Sequence, residues 1–307
     1  MQFSVYQQSL IGGRKVNQDR MGYCFTRDAL LLLLADGMGG HLGGEIAATI
    51  ALQTVSMMFR VQARPYIKKP ERFLEEALLQ AHYDIQGYAA TNGLPEMPRT
   101  TVVACLIQHN CAVWAHAGDS RLYWVRRNQV LARTRDHSHF EYLVDRGRAD
   151  PSERATHPDR NKLYNCLGAS SEPKIEMSEQ VSLQPGDVML LCSDGLWSTL
   201  PETEVVHRLS SGLVTAVPEL TQMAVEVGGP QADNTTALAI EWQGADTPDL
   251  GLPNVISTGM LDDDMVRSTI IGADAAPETA DPFGDDDIEK AIAEIREAIE
   301  KSSQLLK

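Results

Sequence analysis

The spacing of apolar and polar positions divides the chain into alternating strand-like and helix-like stretches. Residues 3–10, 22–26 and 29–35 predict strands. The third is an unbroken apolar run, the pattern of a strand covered on both faces. After a glycine cluster at 37–44, residues 45–60 fit a helix with Ile46, Ile50, Val55 and Met58 at helical spacing. Pro70 opens a second helix over 71–90, with Phe73, Leu74, Ala77, Leu78 and Ala81 on one face. Strands resume at 100–108, 111–117, 121–126 and 130–134, joined by short turns, as in an antiparallel meander. Residues 139–146 predict a short helix, and 147–166 are polar and irregular, a surface flap. Strands at 176–183 and 188–193, helices at 202–209 and 216–227, and a strand at 235–242 complete the body.

Strands in two batches, each followed by helices, imply an α+β fold: a four-layer α/β/β/α sandwich with two antiparallel sheets. This domain is expected to span residues 1–242. Residues 243–287 are rich in Asp, Pro, Gly, Ser and Thr and predict an acidic, flexible linker. In the final segment, 288–307, Ile288, Ile292, Ile295 and Ile299 share one helical face, and Asp286 with Glu289 form a capping-box-like start. So short a helix is marginal alone in water, so a partner or self-association is expected for it.

Charge and composition narrow the function. The 307 residues carry a net charge of −15, which argues against nucleic-acid binding. Residues 244–307 hold 15 acidic and 5 basic side chains, so the tail contributes −10 of that total. The longest apolar run is far shorter than the ~20 residues of a membrane span, and no signal-peptide pattern opens the chain. Cys24, Cys105, Cys111, Cys166 and Cys192 are odd in number and lack CxxC spacing, which argues against disulfides and a zinc site; Cys24, Cys105 and Cys192 lie in apolar runs and predict buried thiols of a cytoplasmic protein.

The chemistry is carried by aspartates. Asp36 follows the apolar run and leads into Gly37-Met38-Gly39-Gly40. Asp119 lies in Gly118-Asp119-Ser120-Arg121, Asp194 in Ser193-Asp194-Gly195, and Asp233 precedes Asn234 and the last strand. Asp19 closes the polar stretch after Arg14. One aspartate after a strand is commonly a turn residue. Five in such settings predict carboxylates gathered around hard cations, because a buried carboxylate is costly unless neutralised. Oxygen ligands without His or Cys favour Mg²⁺ or Mn²⁺ over zinc.

These blocks resemble the type-2C (PPM) family of metal-dependent Ser/Thr protein phosphatases, bacterial type. The resemblance runs from about Tyr6 to Trp242. It also includes Arg14-Lys15-Val16-Asn17-Gln18-Asp19, Thr100-Thr101, Asp136-His137-Ser138, His157-Pro158, Arg160-Asn161, Leu167-Gly168, Leu196-Trp197 and Asp233-Asn234. It implies that Asp36 bridges two Mn²⁺ or Mg²⁺ ions, with the Gly37 carbonyl on the second. Asp194 and Asp233 would complete the first ion, and Asp19 would hold the second through water. Asp119 with Asp194 would bind a looser third ion. Arg14 would grip the substrate phosphate, and Arg14, Asp36 and Asp194 would be the catalytic set. The implied activity is hydrolysis of phosphoserine and phosphothreonine by direct attack of a hydroxide bridging two ions, opposing a Ser/Thr kinase. The implied partners are phosphorylated proteins, either that kinase or its substrates. The alternative is a catalytically weak phosphoprotein-binding scaffold acting through the tail.

Two positions depart from the animal pattern. Met38 stands where those members have a histidine proposed as general acid, and Gln18 replaces a frequent glutamate. His41 is near, but packing at the start of the next helix is its simpler reading. Arg146, Arg148, Arg154 and Arg160 make the flap basic, consistent either with docking of acidic substrates or with an ordinary solvated loop.

Overall fold

The computed structural model describes residues 1–38, 43–154, 156–244, 254–259, 261–263 and 265–271. In chain order the strands begin with β1 (Gln2–Leu10), β2 (Asp19–Phe25), β3 (Ala29–Met38), β4 (Arg99–Thr100), β5 (Val102–Gln108), β6 (Cys111–Ala117) and β7 (Arg121–Arg126). They continue with β8 (Gln129–Arg133), β9 (Glu176–Met177), β10 (Val181–Ser182), β11 (Val188–Cys192), β12 (Thr235–Gly244), β13 (Ile256–Ser257) and β14 (Arg267–Ile271). One sheet has the order β13-β1-β12-β11-β7-β8, and the other β10-β6-β5-β3-β2-β14, with β4 added to β3 and β9 to β6. The pairings are antiparallel, so the expected pair of antiparallel sheets is what forms.

Three apolar layers hold the sandwich. Alternate residues of β3 point to opposite faces. Leu30, Leu32 and Leu34 meet Phe3, Leu122, Met189 and Trp242 of the facing sheet. Leu31, Leu33 and Ala35 instead pack under α1 (Gly44–Gln62) and α2 (Pro70–Thr91). This two-sided burial is why the run at 29–35 lacks polar interruptions. A third layer sits beneath α4 (Asp194–Trp197), α5 (Glu202–Leu209) and α6 (Leu213–Gly228), on Tyr123, Leu190 and Ala239. The short α3 (His139–Asp145) is capped by Ser138, whose hydroxyl accepts from the Glu141 amide.

The structure departs from the sequence expectations at several points. β2 starts at Asp19 and β3 runs on to Met38, so Asp36 lies inside a strand and pairs with Asp19 in register. The apolar pattern stops at Ala35, but backbone pairing does not depend on side-chain polarity and continues through Gly37↔Thr100. The 176–183 segment divides into two two-residue strands, and α4 had no helical signature in so few residues.

The largest departure is in the expected linker, 243–287. Its described part contributes a strand to each sheet: β13 pairs with β1, and β14 pairs with β2. Both lie at the same side of the sandwich, so this segment straps the two sheets together. Gly22 permits the approach, because a Cβ there would lie 2.7 Å from the Thr269 carbonyl oxygen. The strap is pinned at Thr258, which is fully buried. Its hydroxyl donates to the Arg27 carbonyl at 2.6 Å and accepts from the Met1 nitrogen at 3.0 Å. An ion pair from Arg27 to Asp263 adds a second fastening. The predicted helix at 288–307 and the residue His41 lie outside the described residues.

Thr258→Val keeps the shape and leaves a buried donor and acceptor without this partner. It is expected to cost about 2 kcal/mol, a fall of roughly 4–8 °C in Tm for a domain of this size. A thermal melt of the full chain checks this; an unchanged Tm contradicts the pin.

Candidate active site

Carboxylates from both sheets meet at one end of the sandwich. Asp19 and Asp36 come from β2 and β3. Asp119 sits in the connection from β6 to β7, where the chain passes between sheets. Asp194 opens α4 directly after β11, and Asp233 directly precedes β12. A cleft of about 480 Å³ is lined by Arg14, Asp36, Gly37, Asp119, Asp194 and Asp233, with Lys15, Met38 and Asn161 on its walls. Asp19 lies behind it, 3% exposed. The structure therefore brings together all of the site residues expected from the sequence.

The scaffold of the site is polar side chains used as struts. Asn234 accepts from the Gln18 amide at 2.9 Å and donates to the carbonyls of Ile11 (2.9 Å) and Val16 (3.1 Å). It thereby holds the loop carrying Arg14 against Asp233. Ser193 donates to Asp19 Oδ2 at 2.8 Å, tying the start of β2 to the end of β11. The Asp36 amide donates to Thr101 Oγ1 at 3.2 Å, and the Asp36 carbonyl accepts from Thr100 Oγ1 at 2.9 Å. Trp197 Nε1 donates to the Asp119 carbonyl at 2.8 Å. Gly37 is pressed against Gly44, whose backbone a Cβ at 37 would overlap, so no side chain stands between the strand and the following helix.

Electrostatics make the cluster costly as it stands. Burial pushes the Asp19 carboxyl up to about 7, against hydrogen bonds from Thr236 and Ser193 and assisted by the charges of Asp194 and Asp233. Burial, then Asp233, raises Asp194 to about 6. Asp36 and Asp119 stand well above the usual carboxylate range, again through burial first and neighbouring aspartates second. Arg14 is the cation in contact: its guanidinium donates to Asp233 Oδ2 at 2.6 Å. One oxygen of Asp19, Oδ1, is buried without a hydrogen-bond partner. Repelling carboxylates, an orphaned oxygen and an all-oxygen donor set fit hard divalent cations.

A second group, His116, His137 and Glu176, places its ligand atoms within 4.8 Å of one another. Its hydrogen bonds do not suit a metal. His137 Nδ1 accepts from the Gly118 amide at 3.2 Å, so its proton is on Nε2, facing Glu176 Oε2 at 3.2 Å. A ring whose second nitrogen carries the proton has no lone pair there for an ion.

Arg154, one of the flap arginines that fit either docking of acidic substrates or a solvated loop, instead fastens the flap. Arg154 pairs with Asp136 at 2.8 Å and with Glu141. Asp136 also accepts from Nε and Nη2 of the buried Arg121, at 2.8 Å each, and Arg121 stacks over Trp197. Arg154 is thus a structural anchor and not a docking residue, because its charge is matched in a largely buried network. Roles for Arg121, Ser193 and Asn234 were missed by residue-type reasoning. The signal for Arg121 was a charged residue opening a strand that is otherwise free of charge up to Val125.

A two-sheet sandwich with oxygen ligands from both sheets at one end defines a carboxylate-rich, cation-binding hydrolase site. Residues 7–232 match the family model for protein phosphatase 2C, and the chain belongs to that family. It is a protein-serine/threonine phosphatase. It is 32% identical over 233 residues to the serine/threonine phosphatase stp of Listeria welshimeri, covering 74% of this chain and 91% of that one. The serine/threonine phosphatase Stp1 from Staphylococcus aureus superposes with a TM-score of 0.72 at 28% identity, over 78% of this chain and 95% of that one. The catalytic domain of the phosphatase PstP, solved in complex with two manganese ions, does so at 0.67 and 28%, over 79% and 99%. The family match ends at residue 232, before β12 and the strap.

The raised aspartates set a pH dependence. The unfolded chain releases the Asp19 and Asp194 protons near pH 4 (roughly 3.9 for Asp), whereas the folded, cation-free chain keeps them until about 7 and about 6. Their contribution to stability is therefore present below the unfolded value and lost as pH rises through the folded values. In chelator, Tm should fall between about pH 5 and pH 8, and Mn²⁺ should restore it. Asp194→Asn should raise Tm of the chelated protein at the high-pH end, by on the order of 5 °C, and blunt the gain from Mn²⁺. A chelated wild type whose Tm is flat or rising over that range contradicts this account.

Proposed function

We propose that this phosphatase hydrolyses phosphoserine and phosphothreonine in proteins directly with water, as the cytoplasmic counterpart of a Ser/Thr protein kinase. The observation that carries the reading is the convergence of Asp36, Asp119, Asp194, Asp233 and Arg14 on one cleft, with Asp19 buried behind it. Asp36, with the Gly37 carbonyl, would hold Mn²⁺ or Mg²⁺ ions there. Asp194 and Asp233 would complete the first of them, Asp19 would serve the second through water, and Asp119 with Asp194 would take a looser third. When bound, such ions supply acidification of a water and neutralisation of phosphoryl charge.

The chain itself supplies the remaining requirements. No described cysteine lines the cleft, and burial pushes Cys192, beside Asp194, up to about 12. Ser193 is buried and donates its hydroxyl to Asp19. Neither is placed to attack phosphorus, which supports water as nucleophile and no phosphoenzyme. Arg14 reaches the cleft with more than half of its side chain exposed. A planar guanidinium matches two phosphoryl oxygens at once. A phosphate arriving there competes with Asp233 for Arg14, which couples substrate binding to that carboxylate. Met38 on the cleft wall cannot transfer a proton, so the leaving alkoxide takes its proton from another group or from solvent. The scaffold alternative is not favoured, since no expected ligand is missing.

Hydrolysis of a phosphothreonine peptide should require Mn²⁺ or Mg²⁺, and Asp36→Asn should lower kcat on the order of 10³-fold. Arg14→Ala should lower kcat/KM about 100-fold at saturating Mn²⁺. A folded wild type without cation-dependent hydrolysis would refute the reading. If Arg14→Ala weakens only cation affinity, Arg14 serves Asp233 and not the phosphate.

A further inference from the structure

His137 is 3% exposed, outside the carboxylate cluster, and its ring occupies a junction that the chemistry so far does not use. On one side it is joined twice to Gly118, the residue before Asp119. The Gly118 amide donates to Nδ1 at 3.2 Å, and the His137 amide donates to the Gly118 carbonyl at 2.9 Å. On the other side it is joined twice to the end of the flap. Asn165 Nδ2 donates to Nδ1 at 2.7 Å, and the Tyr164 amide donates to the His137 carbonyl at 3.0 Å.

The orientation of Asn165 is decided by its other partners. Its Oδ1 accepts from the Lys174 amide at 3.0 Å and its Nδ2 donates to the Lys174 carbonyl at 2.7 Å. Exchanging oxygen and nitrogen would face donor to donor and acceptor to acceptor. Nδ1 of His137 is therefore an acceptor for two donors at once, and the ring proton is on Nε2, toward Glu176. His116 stacks on the ring at 4.5 Å and is itself tied to the Arg135 carbonyl at 2.7 Å. The ring has no freedom to turn without breaking several of these contacts.

The same flap segment forms part of the cleft. Asn161 and Leu163 line it, and Leu163 bridges to Ser138, the residue after His137. We propose that His137 is a positioning residue that locks the Asp119 turn to the flap segment 161–165, so that the Asp119 carboxylate and the flap wall of the cleft are set by one ring. The inference rests on the reading of Asp119 as ligand of the loosest ion. Burial together with the neighbouring His116 holds the ring near 4, so it stays neutral and in one tautomer at working pH. Groups that fix the geometry around a ligand typically change metal affinity about 10- to 100-fold when removed.

The test compares two substitutions on the full chain. His137→Ala removes the acceptor. His137→Asn keeps one, because the Asn Oδ1 lies where the imidazole Nδ1 lies, while removing the Nε2–H. Calorimetric titration with Mn²⁺ should show the weakest binding event loosened about 10-fold in His137→Ala, with the tighter events unchanged, and largely restored in His137→Asn. The KM for a phosphopeptide should rise in His137→Ala more than that for a small aryl phosphate, since a peptide offers more surface to set against the flap wall. In ¹⁵N spectra of wild-type protein, His137 should show an unprotonated Nδ1 that does not titrate between about pH 5.5 and 8. Equal defects in the Ala and Asn variants, uniform loosening of all events, or an Nδ1-protonated ring would overturn the proposal. An Asp119→Asn control separates the two levels. If it leaves the weak event intact, the ligand assignment fails. If it abolishes that event while His137→Ala does not change it, the positioning role fails.

Discussion

Five carboxylates at one end of a sandwich repel one another, and the fold arranges everything else around that repulsion. Asp19 and Asp36 belong to one sheet, while Asp194 and Asp233 flank strands of the other. The strain therefore acts across the interface between the sheets, where Leu30, Leu32 and Leu34 supply the opposing apolar attraction. Neutral struts keep the cluster in place without cancelling its charge. Asn234, Ser193, Thr100 and Thr101 all bond to backbone or to single carboxylate oxygens. A basic residue in their positions would relieve the repulsion and remove the attraction for cations along with it. Among the described residues, Arg14 is the cation paired with the cluster, and it approaches from the exposed side, where it can be drawn away.

Much of this was legible in the residues because burial on two faces leaves a pattern. The unbroken run at 29–35, the periodic faces of α1 and α2, and the short turns between strands β5 and β8 all reflect simple geometric demands. The aspartates were legible for a different reason: acidic residues beside glycines at the margins of apolar strands have few bland explanations when repeated five times. What stayed hidden depends on tertiary pairing. β4 and the end of β3 pair through backbone groups whose side chains give no alternation. Arg154 is basic like its flap neighbours, and only the fold shows that Asp136 and Glu141 already claim it. The strap at 254–271 carries the composition of a linker, and its order comes from unpaired edges on β1 and β2 that no local pattern records.

The strap also changes how the sandwich ends. Without it, β1 and β2 would each present a free edge, an invitation to pair with another chain. Covering them with segments of the same chain closes both sheets at one side. The pinning of Thr258 between the Met1 nitrogen and the Arg27 carbonyl links the beginning of the chain, the turn between β2 and β3, and the strap in one contact.

The direction of β14 sets where the chain leaves the strap. It runs antiparallel to β2, from a pairing with Phe25 to one between Ile271 and Met21, two positions from Asp19. The chain thus leaves its last described strand at the catalytic end of the sandwich, with 36 residues still to follow. The point from which everything after Ile271 departs is thereby fixed beside the carboxylates and not at the far end of the sandwich.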